Sequence, residues 1–187
     1  MFVVEAMTLS GEIALTFDGG SSVGRDPRLE KLVAEHRPMV LRTAYRLIGR
    51  MEDAQDAAQE VFLRVLQNLD RIGADPRGWL YRVTVNVCND YHRKRSREVG
   101  LEMDVVCRVP GVEREIDDRQ RKRLLMEGLD ILTKSERAAI VLRDIEGLPT
   151  REVAELLDIE EVTVRTQTSH ARMKLARYVR ARVERRK

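Results

Sequence analysis

Cysteine is scarce in this chain, because only Cys88 and Cys107 occur among its 187 residues. They form neither a CxxC pair nor a spacing with histidine that would suit zinc. A disulfide framework and a structural zinc site are therefore not expected. Cys88 falls on an apolar stripe and is interpreted as a buried apolar residue, while a redox role for either cysteine stays open.

Long apolar runs are also missing. No stretch approaches the roughly 20 apolar residues that span a bilayer, so direct membrane insertion is not expected. The first residues contain short apolar runs that Glu5 and Glu12 interrupt. They lack the basic start and the long apolar core of a signal peptide. We therefore expect a cytoplasmic protein.

Aromatic residues make up only 4% of the chain, whereas 35% of its residues are charged. This composition favours a solvated helical protein over a sheet protein. The net charge is only +3, but it is unevenly distributed: residues 165–187 hold nine basic residues against one acid, Glu184, and residues 92–97 read HRKRSR. Such clusters are typical of surfaces that bind nucleic acid or an acidic partner. Solvated helix ends are the plainer alternative.

The spacing of apolar residues predicts an all-α fold of two small helical domains joined by a flexible linker. Residues 1–27, which end in DGGSSVGRDP, are interpreted as a flexible extension. Helices are expected over 28–98 and again over 116–187, and the linker covers 99–115, where two glycines and a proline break the pattern. Within the first domain, Pro38 is expected to start a new helix and Gly49 to end it. Asp75 is expected to cap the helix that Pro76 begins.

The second domain contains the pattern of a helix-turn-helix. Thr133 and Glu136 form a capping box, Gly147 ends that helix, and Thr150 is expected to cap the next one. A turn at 158–160 and a long basic helix from about Glu161 complete the motif. One face of that helix carries side chains that can reach bases and phosphates in a major groove: Arg165, Thr166, Ser169 and Arg172. DNA binding is favoured, although helix pairs without this role show the same pattern.

The helix predicted over 76–97 offers a different chemistry. Trp79 and Tyr81 lie close in sequence to Asn86, Asn89 and a cluster of cations. Aromatic faces can stack on unpaired bases, amides can read base edges, and arginines can hold phosphates. The alternative is that Trp79 and Tyr91 are simply core aromatics.

Residues 52–66, EDAQDAAQEVFLRVL, form an acidic helix in a chain whose pI is about 9.0. An apolar stripe covers one side, and at 3.6 residues per turn another side collects Asp53, Asp56, Glu60 and Leu63. Carboxylates on one face can chelate a metal, yet no partner histidine or second carboxylate motif supports this. Metal-ligand spacing is likewise absent among His36, His92 and His170. No metal, no cofactor and no enzymatic activity are therefore expected.

Three motifs in order carry a family resemblance: EDAQDAAQEVFLRV, PRGWLYRVTVN and LTKSERAAIVLRDIEGLPTREVAELLDIEEVTVR. Together they resemble an extracytoplasmic-function (ECF) sigma factor of the sigma-70 family, over residues 28 to about 180. The resemblance implies a sigma region 2 domain at 28–98 and a sigma region 4 domain at 116–187. It also implies a bacterial transcription initiation factor that binds core RNA polymerase, helps to open the minus-ten element of a promoter and reads the minus-thirty-five element.

The resemblance gives each exposed face a role. The acidic helix would dock on the clamp coiled coil of the largest polymerase subunit through Asp53, Asp56, Gln59, Glu60 and Leu63. The following helix would hold the opened, single-stranded minus-ten element through Trp79, Arg82, Asn86, Asn89 and Arg93. The last helix would bind the double-stranded minus-thirty-five element through Arg165, Thr166, Ser169, His170 and Arg172.

The last helix departs from the family pattern at four positions. Val162 stands where the family usually has glycine, Thr168 replaces an apolar residue, Ser169 an aromatic or histidine, and His170 an arginine. Val162 is expected to remove a permissive turn residue, and Thr168 to place a hydroxyl on the packing stripe. An unusual promoter sequence and a modest affinity for the minus-thirty-five duplex are predicted.

Regulation by an anti-sigma factor is a further implication of the resemblance. The main alternative is a helix-turn-helix DNA-binding regulator that does not bind polymerase. That alternative explains the last third of the chain, but it leaves the acidic helix and the helix over 76–97 without a purpose.

Overall fold

The computed structural model describes residues 26–73, 75–99 and 118–184, and all regular elements in these ranges are helical. They are α1 (Pro27–Ile48), α2 (Met51–Gln67), α3 (Arg77–Val99), α4 (Asp118–Asp130), α5 (Lys134–Ile140), α6 (Thr150–Leu157) and α7 (Glu161–Glu184). A 3-10 turn at Leu69–Arg71 follows α2, and a π-helical turn at Val141–Ile145 continues α5. The all-α prediction is confirmed. The predicted extension and linker lie almost wholly outside the described residues.

Helix α1 is longer than predicted, because it continues through Pro38. Proline removes one hydrogen bond from a helix interior and crowds the preceding turn, which is why a break was expected. The residues after it, Met39 and Val40, are buried, so packing against the neighbouring helices offsets the local cost. Both ends are well defined: the Asp26 carboxylate accepts a hydrogen bond from the Arg28 backbone at 2.8 Å, and Gly49 ends the helix at φ 91°.

Helices α1, α2 and α3 pack around a common core. The small residues Ala54, Ala57 and Ala58 of α2 are buried where α2 meets its neighbours. On α3, Val83, Val85 and Val87 are buried, which compensates for the poor helix propensity of β-branched residues. As predicted, the Asp75 carboxylate accepts a hydrogen bond from a backbone N–H in the first turn of α3, at 3.1 Å. This packing fixes which face of α2 and of α3 is left to solvent.

The predicted capping box at the start of α5 is confirmed. The Thr133 hydroxyl accepts from the Glu136 backbone at 3.3 Å, and the Glu136 carboxylate accepts from the Thr133 backbone at 3.0 Å. Lys174 of α7 donates to the same carboxylate at 2.8 Å. Burial alone would raise the pKa of Glu136, but these hydrogen bonds outweigh it and hold the pKa below its usual value. The capping box therefore also anchors α7 to α5.

Helices α6 and α7 form the helix-turn-helix, and its turn contains Asp158 in the left-handed conformation at φ 55°. The expectation that Thr150 caps α6 is wrong. Thr150 is already the first helical residue after Pro149, and its hydroxyl accepts a hydrogen bond from Arg143 at 3.1 Å. The N-cap residue is Pro149, whose side chain has no acceptor, so α6 begins without a side-chain cap.

The two helical domains contact each other through a buried network centred on Glu146, whose side chain is 8% exposed. Arg46 of α1 pairs with its carboxylate, and the Tyr81 hydroxyl of α3 donates to it at 3.0 Å. Arg137 of α5 donates to the carbonyl oxygen of Arg46 and pairs with Asp130 at 2.9 Å. The positive charge of Arg137 at the C-terminal end of α1 also interacts favourably with the helix dipole. The domains are thus joined by charged groups that satisfy one another across the interface.

Replacing Glu146 by alanine is expected to lower the free energy of unfolding by about 3 kcal/mol, because it leaves the partly buried guanidinium of Arg46 without its counter-ion. Urea titration followed by circular dichroism measures the change. Glu155→Ala is the matched control, since its pair with Arg151 is exposed (57% and 82%), and it should cost less than about 0.5 kcal/mol. Equal losses in the two variants would contradict a structural role for the network.

Candidate nucleic-acid and protein interfaces

The acidic face of α2 is only partly free. Asp56 and Gln59 are exposed, whereas the other three predicted residues, Asp53, Glu60 and Leu63, are half-buried. Asp53 lies between Arg50 at 3.2 Å and Arg95 of α3 at 3.6 Å. Glu60 pairs with Arg64 at 2.9 Å. The uncompensated negative charge of this face is therefore centred on Asp56.

An open groove of about 780 Å³ runs beside this face, between α2 and α3. Its α2 wall includes Asp53, Asp56 and Glu60, and its α3 wall includes Lys94 and Arg95. Charges of both signs meet in the groove. A partner that lies across it therefore has to match an alternating pattern, which makes such contacts selective.

The predicted residues of α3 share one stripe on its solvent side. Arg82, Asn86, Asn89 and Arg93 follow one another at steps of four, three and four residues and are all exposed. Trp79 extends the stripe at its start and is half-buried. The stripe combines two amides, two cations and a half-buried indole ring. These are the groups that bind unpaired bases and their phosphates.

Tyr81 does not belong to this stripe, although its sequence position suggested it. Its side chain is 1% exposed and its hydroxyl donates to Glu146. Burial and the neighbouring carboxylate raise its pKa, so the hydroxyl keeps its proton for that bond. Tyr81 is thus a domain-interface residue that cannot stack on a base. The sequence around Tyr81 does not show this, because its hydrogen-bond partner, Glu146, lies 65 residues further along the chain.

All five predicted residues of α7 are exposed: Arg165, Thr166, Ser169, His170 and Arg172. Two of the three basic ones are engaged within the chain. Arg165 pairs with Glu161 at 2.7 Å, and Arg172 makes two hydrogen bonds of 2.8 Å with Asp144. The Arg172 pair links α7 to the π-helical turn. Both arginines that the sequence assigned to DNA contact are therefore already paired with acids of the chain.

One expectation about α7 is corrected, and the other, that Thr168 places a hydroxyl on the packing stripe, is confirmed. Val162 is not a turn residue: it lies in the first turn of the helix, and the left-handed residue of the preceding turn is Asp158. The hydroxyl of the fully buried Thr168 is not left without a partner, since it donates to the carbonyl oxygen of Val164 at 2.8 Å. A hydroxyl on the packing stripe is tolerated because the helix itself supplies the acceptor.

Sequence reasoning missed Glu146, Asp144 and Met173, and it treated Val162 only as a turn residue. Glu146 and Asp144 each have their partners on distant helices, so no local pattern marks them. Val162 and Met173 are 62% and 55% exposed on α7. The sequence could have shown them as exposed, because at helical spacing both fall outside the apolar stripe that contains Val164.

Metal binding receives no support from the described part of the chain, where no group of three or more histidine, cysteine, aspartate or glutamate side chains is placed to hold an ion. The three histidines lie on three different helices. His36 is buried on α1, His170 is exposed on α7, and His92 of α3 contacts the carbonyl oxygen of Leu47 at 3.2 Å. Within the same ranges, no helix is long and apolar enough to cross a membrane.

Comparison with known proteins assigns the family. Residues 32–98 match the family model of sigma-70 region 2, and residues 122–175 match that of sigma-70 region 4. The chain belongs to the ECF sigma factors of the sigma-70 family. Both matches lie inside the predicted domains, whose outer boundaries stay predictions.

Among its relatives, the ECF RNA polymerase sigma factor SigE of Mycolicibacterium smegmatis is 35% identical over 169 residues, 87% of this chain and 66% of that one. The probable ECF RNA polymerase sigma factor SigI of Mycobacterium tuberculosis is 31% identical over 150 residues, 75% of this chain and 51% of that one. This ECF sigma factor thus spans less than two thirds of the length of either relative.

A solved structure shares the fold. The sigma factor RpoE in its co-crystal structure with the anti-sigma factor NepR from Bartonella quintana superimposes with a TM-score of 0.65. The alignment covers 81% of this chain and 96% of that one, at 22% identity. At that identity the likeness shows the arrangement of the helices and nothing about the partner.

A redox role for Cys88 of this sigma factor is disfavoured by its surroundings. The thiol is 2% exposed, and burial raises its pKa to about 12, although the positive charge of Arg137 acts in the opposite direction. The thiolate is the reactive form of cysteine. Cys107 lies outside the described residues.

The thiol of Cys88 is expected to be inert in the folded protein. In a Cys107→Ser variant, where it is the sole thiol, a pKa of about 12 leaves only about one thiolate in ten thousand at pH 8. A chromogenic thiol reagent should therefore react negligibly in native buffer and with one equivalent in urea. Full reaction within minutes under native conditions would show that the site opens.

Proposed function

We propose that this chain is a transcription initiation factor that binds core RNA polymerase and directs it to specific promoters. The observation that carries the proposal is the presence of three solvent-exposed faces of different chemistry on three helices of a sigma-70 family chain. The face of α2 is acidic, that of α3 combines amides with cations, and that of α7 belongs to a helix-turn-helix. As an initiation factor the chain performs no catalysis, and it acts in the cytoplasm with polymerase.

The acidic face of α2 is the proposed polymerase-docking surface. Its exposed centre, Asp56 and Gln59, and the half-buried Asp53, Glu60 and Leu63 would contact the clamp coiled coil of the largest subunit. An acidic surface steers the protein toward a basic partner and repels DNA. The ion pairs of Asp53 and Glu60 hold those carboxylates in place, so the docking energy depends most on Asp56.

The stripe on α3 is the proposed site for the opened strand of the minus-ten element. Unstacking a base costs a few kcal/mol, which contacts with the extruded base have to offset. Asn86 and Asn89 offer amides that read a base edge, and the half-buried Trp79 lies on the same stripe. Arg82 and Arg93 stand at either side of the asparagines on the stripe, where they can hold phosphates that flank the bound base.

Helix α7 is the proposed reader of the minus-thirty-five duplex. The second helix of a helix-turn-helix enters the major groove, and its first turns contact base edges. Arg165 and Arg172 have to exchange Glu161 and Asp144 for phosphates or bases. This exchange adds little net electrostatic energy, which agrees with the modest duplex affinity predicted from the sequence.

Control by an anti-sigma factor completes the proposal. The structurally similar RpoE was solved together with the anti-sigma factor NepR. A partner that covers the acidic face of α2 would exclude polymerase through the same charges that recruit it. The groove between α2 and α3 gives such a partner a second, mixed-charge contact.

Reversing the charge at Asp56 tests the docking surface. Asp56→Arg is expected to weaken binding to bacterial core RNA polymerase at least about tenfold, because a like charge faces the basic coiled coil. Co-elution in gel filtration and a fluorescence titration measure the effect. The control is Glu35→Arg, the same change at a carboxylate on α1 that is 63% exposed, which should bind within about twofold of the parent.

Two results would contradict the polymerase proposal. Equal loss in both variants would mean a general charge effect with no docking surface on α2. Failure of the unmodified chain to bind core polymerase, together with specific binding of duplex DNA, would favour the alternative of a helix-turn-helix regulator.

The stripe on α3 has its own test. Asn86→Ala is expected to reduce holoenzyme binding to a single-stranded non-template oligonucleotide by about tenfold, since an amide that pairs with a base edge discriminates by about 1–3 kcal/mol. Binding to double-stranded DNA upstream should not change. Gln55→Ala removes an exposed amide from α2 and serves as control. An unchanged single-strand affinity of Asn86→Ala would remove this residue from the site.

A further inference from the structure

The recognition helix α7 carries an exposed stripe with a large apolar residue at each end, Val162 and Met173. Val162, Thr166, Ser169 and Met173 follow one another at steps of four, three and four residues, so they lie on one face. Val162 is 62% exposed and Met173 is 55% exposed. At 1.5 Å per residue, about 16 Å separate the two along the helix.

The two arginines beside this stripe are paired with acids of the same chain. Arg165 is held by Glu161, and Arg172 is held by Asp144. Arg165 stays 58% exposed, so the first turns of the helix present it together with Val162 and Thr166. The Thr166 hydroxyl donates its proton to the Val162 carbonyl oxygen at 3.0 Å, and the methyl group is the apolar part of this exposed side chain.

We propose that Val162, together with the methyl group of Thr166, reads thymine in the minus-thirty-five duplex. This inference rests on the proposed function of α7. In the major groove, thymine alone among the four bases presents a methyl group, at its C5 position. Because base edges are contacted by the first turns of such a helix, Val162 is placed to meet it. Contact between the two removes apolar surface from water on both sides.

Met173 is not expected to share this role, although it lies on the same stripe. It is three turns further along α7, past the first turns that contact base edges. This makes Met173 the matched control: an apolar, exposed residue on the same face of the same helix. Both positions tolerate alanine, which has the higher helix propensity and removes no buried contact.

The test uses the full chain, with and without core polymerase. Selection from a random duplex pool first provides the preferred minus-thirty-five sequence. Each thymine of that duplex is then replaced by deoxyuridine, which removes the C5 methyl group and leaves base pairing unchanged. At one or two thymines, the parent should lose affinity by about three- to sixfold, the effect of one buried methyl group. Val162→Ala, which leaves the Thr166 methyl group in place, should lose most of the preference for thymine over deoxyuridine, whereas Met173→Ala should keep the parent's preference.

Each other result overturns the inference. If no deoxyuridine duplex binds more weakly than its thymine parent, or if Val162→Ala keeps the full preference, Val162 does not read the methyl group. The proposed function of α7 survives in both cases, because the selection has yielded a specific sequence. If the selection yields no sequence with or without polymerase, the minus-thirty-five proposal fails along with this one.

Discussion

The contact between the two helical domains depends on the buried carboxylate of Glu146. Taking a carboxylate out of water costs several kcal/mol unless hydrogen bonds and an opposite charge replace the water. Here the replacements, Arg46 and Tyr81, both belong to the other domain. Arg137 of the second domain likewise contacts the first domain, because it donates a hydrogen bond to the carbonyl oxygen of Arg46 at the end of α1. Each domain therefore contributes hydrogen-bond partners to the other at this interface, and both partners of the Glu146 carboxylate come from the first domain.

This constraint determines which faces remain for partners. Tyr81 faces the second domain, so the next residue, Arg82, faces solvent together with the asparagines that follow at helical spacing. On α7, Lys174 binds the capping box of α5 and Val164 is fully buried, which leaves Thr166 and Ser169 outside. The exposed stripes are thus a consequence of packing, because the contacts that hold the helices together determine which of their faces remain exposed to solvent.

Much of this could be predicted from the sequence, because the decisive signals are local. Helical spacing identified the outward stripes of α3 and α7. The capping box is a pattern of only four residues, Thr133 to Glu136, so it could be predicted locally. The errors have a common cause. Pro38 continues a helix because its neighbours pack well, and Tyr81 is buried because Glu146 is there. Interactions between residues far apart in the chain do not affect the local spacing of apolar residues, so they cannot be predicted from that spacing.

The ion pairs on α7 bear on how such a helix could distinguish one sequence from another. Phosphates are the same in every duplex, so cations that bind them position the protein without selecting a site. Arg172 would exchange one anion, Asp144, for another, and the gain differs little between sequences. Discrimination then has to come from groups that meet base edges. On the first turns of α7 the exposed apolar groups are those of Val162 and Thr166, and the feature of a base edge that they can recognise is the methyl group of thymine.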